Sequence, residues 1–94
     1  MRLSDSDREL IVEELSKEGV SRISLFGSFA SGDADSESDI DILVDFDDDV
    51  SLMDVARIER ELSEKIGRDF DIVTIESLSP HIKERLGDME VLSA

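Results

Sequence analysis

The alternation of acids and aliphatics in DIDILVDF, residues 39 to 46, restricts the fold of this chain more than any other stretch. Side chains along a strand point to opposite faces in turn, so Ile40, Ile42 and Val44 share one face while Asp39 and Asp41 share the other. The aliphatic face requires a core to bury it. The acidic face holds two like charges one strand repeat apart, an arrangement that a bound divalent cation would stabilise. The plainer reading is a strand edge decorated with acids for solubility.

The pattern Asp-x-Asp is uninformative by itself, because it also occurs at 5/7, 33/35, 45/47, 47/49 and 69/71. Setting separates the pair at 39 and 41 from the others. An apolar run ends at Gly27-Ser28, ten residues follow, and the acids open the next strand. Two familiar loops fail on the same residues. Gly27 and Gly32 have the spacing of a P-loop, but Asp33 and Ala34 stand where Lys and Ser or Thr belong. A calcium loop starting at Asp33 would have Ser38 in place of its Gly and Val44 in place of its bidentate Glu.

Periodicity and capping residues predict the remaining elements. Ser4 or Asp5 starts a helix to about Glu18, with Leu10, Ile11 and Leu15 on one face and Gly19 as its stop. Val20 to Phe26 is a strand, and 28 to 38 is a loop with room for one helical turn. Ser51 and Asp54 form a capping box for a helix to Gly67 whose stripe is Leu52, Val55, Leu62 and Ile66. Asp69 to Ile75 is a strand, Ser79-Pro80 opens a last helix to Gly87, and Met89 to Leu92 is a short strand. Met53 and Met89 read as core, Phe29 as a packing residue, and His81 as a surface or partly packed imidazole. The expected fold class is α+β: one small mixed sheet covered by helices, with the 51–67 helix as a crossover, in a single domain over residues 1–94.

Composition narrows the setting. With 25 Asp and Glu against ten basic residues, seven of them Arg, the formal charge is −15. Such a surface repels nucleic acid and anionic membrane, and it suits a high-salt cytoplasm where screening weakens the self-repulsion. The absence of Cys removes disulfides and thiolate metal sites. No apolar stretch reaches the length of a membrane span, and MRLSDSDREL is too acidic for a signal peptide, so a cytoplasmic protein is expected.

The strand, Gly27-Ser28, ten residues, Asp39-x-Asp41 and the later FDIV with Asp71 together resemble the polymerase-β-like nucleotidyltransferases, in particular their minimal form, the MNT domain. The resemblance spans nearly the whole chain. It implies that Asp39, Asp41 and Asp71 are the catalytic, metal-holding carboxylates for two Mg²⁺ ions, and that Gly27 and Ser28 bind the phosphates of ATP. Asp69 competes with Asp71 but lies at the strand's entrance. The family commonly reads Gly-Ser-x-Ala-Arg-Gly; here GSFASG places Ser31 at the arginine position, which puts turnover in question and leaves Arg22, Arg57 and Arg68 as candidate replacements. MNT proteins resemble antitoxins whose partner is a HEPN-type ribonuclease toxin, so the implied activity is AMP transfer from ATP to a tyrosine of that toxin within a hetero-oligomer. Two alternatives stand beside it: a non-catalytic antitoxin that neutralises by binding alone, and nucleotidyl transfer to a small molecule.

Overall fold

The computed structural model describes residues 2–75 and 89–93. Along the chain run α1 (Asp5–Ser16), β1 (Val20–Phe26), α2 (Ser28–Ser31), β2 (Ile40–Phe46), α3 (Leu52–Ile66), β3 (Phe70–Thr74) and β4 (Glu90–Ser93). The expected helix opened by Ser79-Pro80, with His81, lies outside the described residues. The strands form one mixed sheet in the order β3-β2-β1-β4. β1 is antiparallel to β2 and β4, while β2 and β3 are parallel and joined through α3, the expected crossover.

Local chemistry sets the helix ends. Ser4 Oγ accepts from the Asp7 N–H at 3.1 Å to start α1. At α3, Ser51 Oγ accepts from Asp54 N–H at 3.1 Å, and the Asp54 carboxylate accepts from Ser51 N–H at 3.3 Å. That reciprocal capping box satisfies two helix-end donors and fixes the turn out of the acidic run. α3 ends at Gly67, whose φ of +81° is the left-handed conformation that releases the chain into β3.

The core lies between the sheet and the pair α1 and α3. Ile23, Leu25, Ile40, Ile42 and Val44 from the sheet meet Ile11 and Leu15 of α1 and Val55, Ile58 and Leu62 of α3. The same face of β3 adds Phe70 and Ile72, opposite Ile40 and Ile42 in the parallel register. Phe29 is buried, as a packing residue should be.

Two methionine expectations and one leucine fail. Met53 is 83 % exposed, Met89 is 42 % exposed, and Leu52 is 88 % exposed instead of continuing the α3 stripe. Helical periodicity assigns residues to a side of the helix, but the first turn of α3 extends past the surface that buries Val55 and Ile58. Met89 stands just before the edge strand β4.

The scarce cations act as ties between elements. Arg57 of α3 bonds Glu18 at 2.5 Å, and Lys65 bonds Glu14 of α1 at 2.7 Å. Arg8 of α1 pairs with Glu90 of β4. Hydrogen bonds from Lys65 and Lys17 hold the Glu14 carboxyl below its ordinary value, and Glu14 in turn raises Lys65. In so acidic a chain each of these contacts replaces a repulsion with an attraction where two elements meet.

Candidate active site

The parallel ladder decides where the acids lie. Residues paired across neighbouring strands project from the same face, and Asp41 is the partner of Asp71. With Ile40, Ile42 and Ile72 turned into the core, both carboxylates occupy the opposite face, on strands about 4.8 Å apart. Carrying the alignment back by one strand repeat brings Asp39 beside Asp69. Both line a polar cavity of about 260 Å³ with Ser38, Ser63, Gly67 and Arg68. The structure thus gathers Asp41 with Asp71, leaves Asp39 just outside β2, and keeps Asp69 at the rim.

The phosphate-loop candidates come from the antiparallel neighbour. Phe26, the last residue of β1, is the register partner of Asp41, so the chain leaves β1 directly beside that carboxylate. Gly27 turns it there with φ +71° and ψ −152°, a conformation adopted almost only by glycine. A Cβ at Gly27 would collide with Oδ2 of Asp41 and lie 3.2 Å from its Cγ. Backbone of the Gly27-Ser28 turn is therefore packed onto one acid of the candidate site. The single turn of α2 follows, and the Ser28 carbonyl accepts from Gly32, Asp33 and Ala34 N–H at 3.0 to 3.1 Å.

Several of the other Asp-x-Asp acids have structural tasks. Asp33 accepts from Ser31 Oγ at 3.1 Å, and Asp35 accepts from Glu37 N–H at 2.9 Å and from Ser38 Oγ at 3.3 Å. Asp47 accepts from Ser21 Oγ, tying β1 to the exit of β2. Those turns fix the 33–38 loop that delivers Asp39.

Whether the described residues suit Mg²⁺ can be judged from the donors. The carboxylates are hard oxygen donors and the chain has no Cys. A glycine backbone approaches Asp41 more closely than any side chain would allow. Among the described residues no group of three acidic or His side chains is gathered round a single point. The set fits the cation in kind and in strand register, and rotation of the Asp side chains would have to complete the enclosure.

Of two residues beside the candidate site, Glu59 was missed in the sequence and Arg68 was named only as a candidate cation. Glu59 of α3 reaches to β3 and accepts from the Ile72 N–H at 3.2 Å. Burial pushes its carboxyl up, the Ile72 bond opposes that, and the charge of Asp71 adds to the rise. A helical position three before Leu62 carries no signal of such a contact. Arg68 is the second. Its Nη1 donates to the carbonyls of Asp35, Ser36 and Ser38 at 3.3 Å each, and its guanidinium lies 5.1 Å from the centroid of the Phe29 ring.

Arg68 thus fastens the acid-bearing loop to α2, and Arg57 is engaged with Glu18 and Glu61. Arg22 lies further along β1, opposite Asp45. The position of the family arginine is held by Ser31, whose hydroxyl is directed at Ser28 O and Asp33. Replacing Arg68 with Ala is expected to cost about 1–2 kcal/mol, since charged hydrogen bonds and a cation–π contact are lost at a half-exposed position. Thermal denaturation would read this as a drop of about 4–15 °C. Lys should recover little of it, because an ammonium cannot span three carbonyls while stacking on a ring.

The sequence profile of the nucleotidyltransferase domain family matches residues 8–89. The chain belongs to this family. Among relatives of the nucleotidyltransferase, a Methanocaldococcus jannaschii protein provisionally named a protein adenylyltransferase is 41 % identical over 86 residues, covering 92 % of this chain and 91 % of the relative. The protein adenylyltransferase MntA of Thermococcus cleftensis is 41 % identical over 64 residues, 68 % of this chain and 65 % of that one. A crystal structure of a toxin-antitoxin with AMP-PNP superimposes with a TM-score of 0.83 at 25 % identity, covering 90 % of this nucleotidyltransferase and 71 % of that chain. These similarities bear out the resemblance to the minimal nucleotidyltransferases and the α+β fold expected from the order of elements.

Proposed function

We propose that this nucleotidyltransferase transfers AMP from ATP to a tyrosine hydroxyl of a HEPN-type ribonuclease toxin, and so acts as its antitoxin in the cytoplasm. One observation carries the catalytic part: Asp41 and Asp71 are register partners on one face of the sheet, with the Gly27 backbone packed against Asp41. The relatives named protein adenylyltransferase support the reaction class, and the AMP-PNP-bound toxin-antitoxin supports the nucleotide and the kind of partner.

In this reading Asp39, Asp41 and Asp71 would hold Mg²⁺, which when bound supplies neutralisation of the triphosphate and of the leaving pyrophosphate. Gly27 and Ser28 seat the β and γ phosphates beside Asp41, with whose carboxylate a Cβ at residue 27 would collide. The tyrosine oxygen attacks the α phosphorus, the bond from that phosphorus to the bridging oxygen breaks, and pyrophosphate departs. Asp71, an exposed residue of β3, accepts the tyrosine proton. Ser31 leaves the loop without the family's cation, so the reaction depends the more on the acids.

Incubating the purified chain, Mg²⁺, ATP labelled on its α phosphate and the HEPN protein tests the reading. Label on a toxin tyrosine is expected. No label, together with toxin neutralisation that survives D39N plus D41N, would replace catalysis with neutralisation by binding alone.

A further inference from the structure

We infer that Glu59 is a positioning residue for Asp71, fixing the backbone of the edge strand beside that acid through the Ile72 N–H. The inference rests on the reading of Asp71 as a site carboxylate and extends it to the helix behind the strand.

Among the described residues, β3 is an edge strand whose one neighbour in the sheet is β2. In a parallel ladder, successive N–H groups point alternately toward the neighbour and away from it. Ile72 follows Asp71 directly, and its N–H is taken by Glu59 Oε1 at 3.2 Å. The bond ties the residue next to Asp71 to α3, whose Val55, Ile58 and Leu62 are set in the core. A residue that holds a metal or takes a proton must keep its place to about 0.5 Å. An edge strand of five residues offers little stiffness of its own. Among the described residues Asp41 has strands on both sides and Asp71 has one on a single side, so the help is placed at the end of the described sheet.

A simple edge guard would also occupy this N–H, since unpaired edge donors invite pairing with other chains. The two roles part on what happens at the acids. Mn²⁺ binding in the presence of AMP-PNP, amide hydrogen exchange at Ile72 and the thermal midpoint are measured for the full chain and for E59A, E59Q and D71N. The amide of E59Q retains an acceptor oxygen of the same reach, while E59A leaves the N–H to water. Expected for E59A are faster exchange at Ile72 and Mn²⁺ binding weakened about 10-fold, the lower end of what supporting residues at metal sites contribute. The midpoint should stay within a few degrees, and E59Q should restore binding to within about twofold.

E59A that binds Mn²⁺ like the unaltered chain while D71N does not would overturn the inference and leave the role of Asp71 standing. E59Q as weak as E59A would overturn it too, by assigning the effect to charge. Unimpaired Mn²⁺ binding by D71N would remove Asp71 from the site, and the inference with it.

Discussion

Asn in place of Asp41 is expected to lower AMP transfer by about 10³-fold without loss of folding stability. The magnitude follows from the several kcal/mol of charge stabilisation that a properly held metal contributes to a transition state, each 1.4 kcal/mol being about a factor of ten in rate. Asp41 has the most site neighbours of the three acids, with Asp71 beside it on β3 and Gly27 packed on it from β1. Stability should hold, or rise slightly. Asn is nearly isosteric, and removing one negative charge relieves repulsion at Asp71 and within a chain of formal charge −15. Single-turnover transfer of labelled AMP and a thermal melt, run on the same preparation, make the comparison. Transfer within tenfold of the unaltered chain would show that the acids of β2 are surface decoration.

Gly27→Ala is expected to harm both fold and function, which distinguishes it from the acid variants. At φ +71° and ψ −152° the backbone occupies a region nearly closed to residues with a Cβ, at a cost of about 1–3 kcal/mol. The new methyl group also meets the Asp41 carboxylate. That side chain can rotate away, so the collision lowers stability less than its closeness suggests, but the rotation takes the carboxylate from its place beside Asp71. A midpoint lower by roughly 5–15 °C is expected, with transfer reduced at temperatures where the chain remains folded. Gly32→Ala provides the contrast. Gly32 also has positive φ, at +89°, but a Cβ there meets nothing within 4 Å. It should share the loss of stability and retain transfer. Equal activity losses in the two variants would mean that loop strain, and not the approach to Asp41, governs the site.

The turn at Gly27 and the placing of Asp41 opposite the core were legible in the sequence because their signals are local: an apolar run cut by glycine, and a two-residue alternation with aliphatics on the other face. The capping box at Ser51 and Asp54 is local as well, and it appears as expected. Met53 and Leu52 misled for a related reason. Their spacing places them on the helix, but exposure depends on how far the sheet extends beneath the first turn. Arg68 could be named as a candidate cation, yet its three carbonyl partners lie about thirty residues earlier in the chain, and Glu59 gave no hint at all.

Alternation, caps and glycine spacing were enough to place the described helices and strands of this protein and its crossover, since each follows from backbone geometry within a few residues. Tertiary structure alone decided that Asp41 faces Asp71, that Gly27 rests on Asp41, and that Glu59 and Arg68 hold the parts in place. These are contacts between strands, helices and loops remote in the chain, and their partners are set by sheet register and packing, which no short stretch of residues encodes.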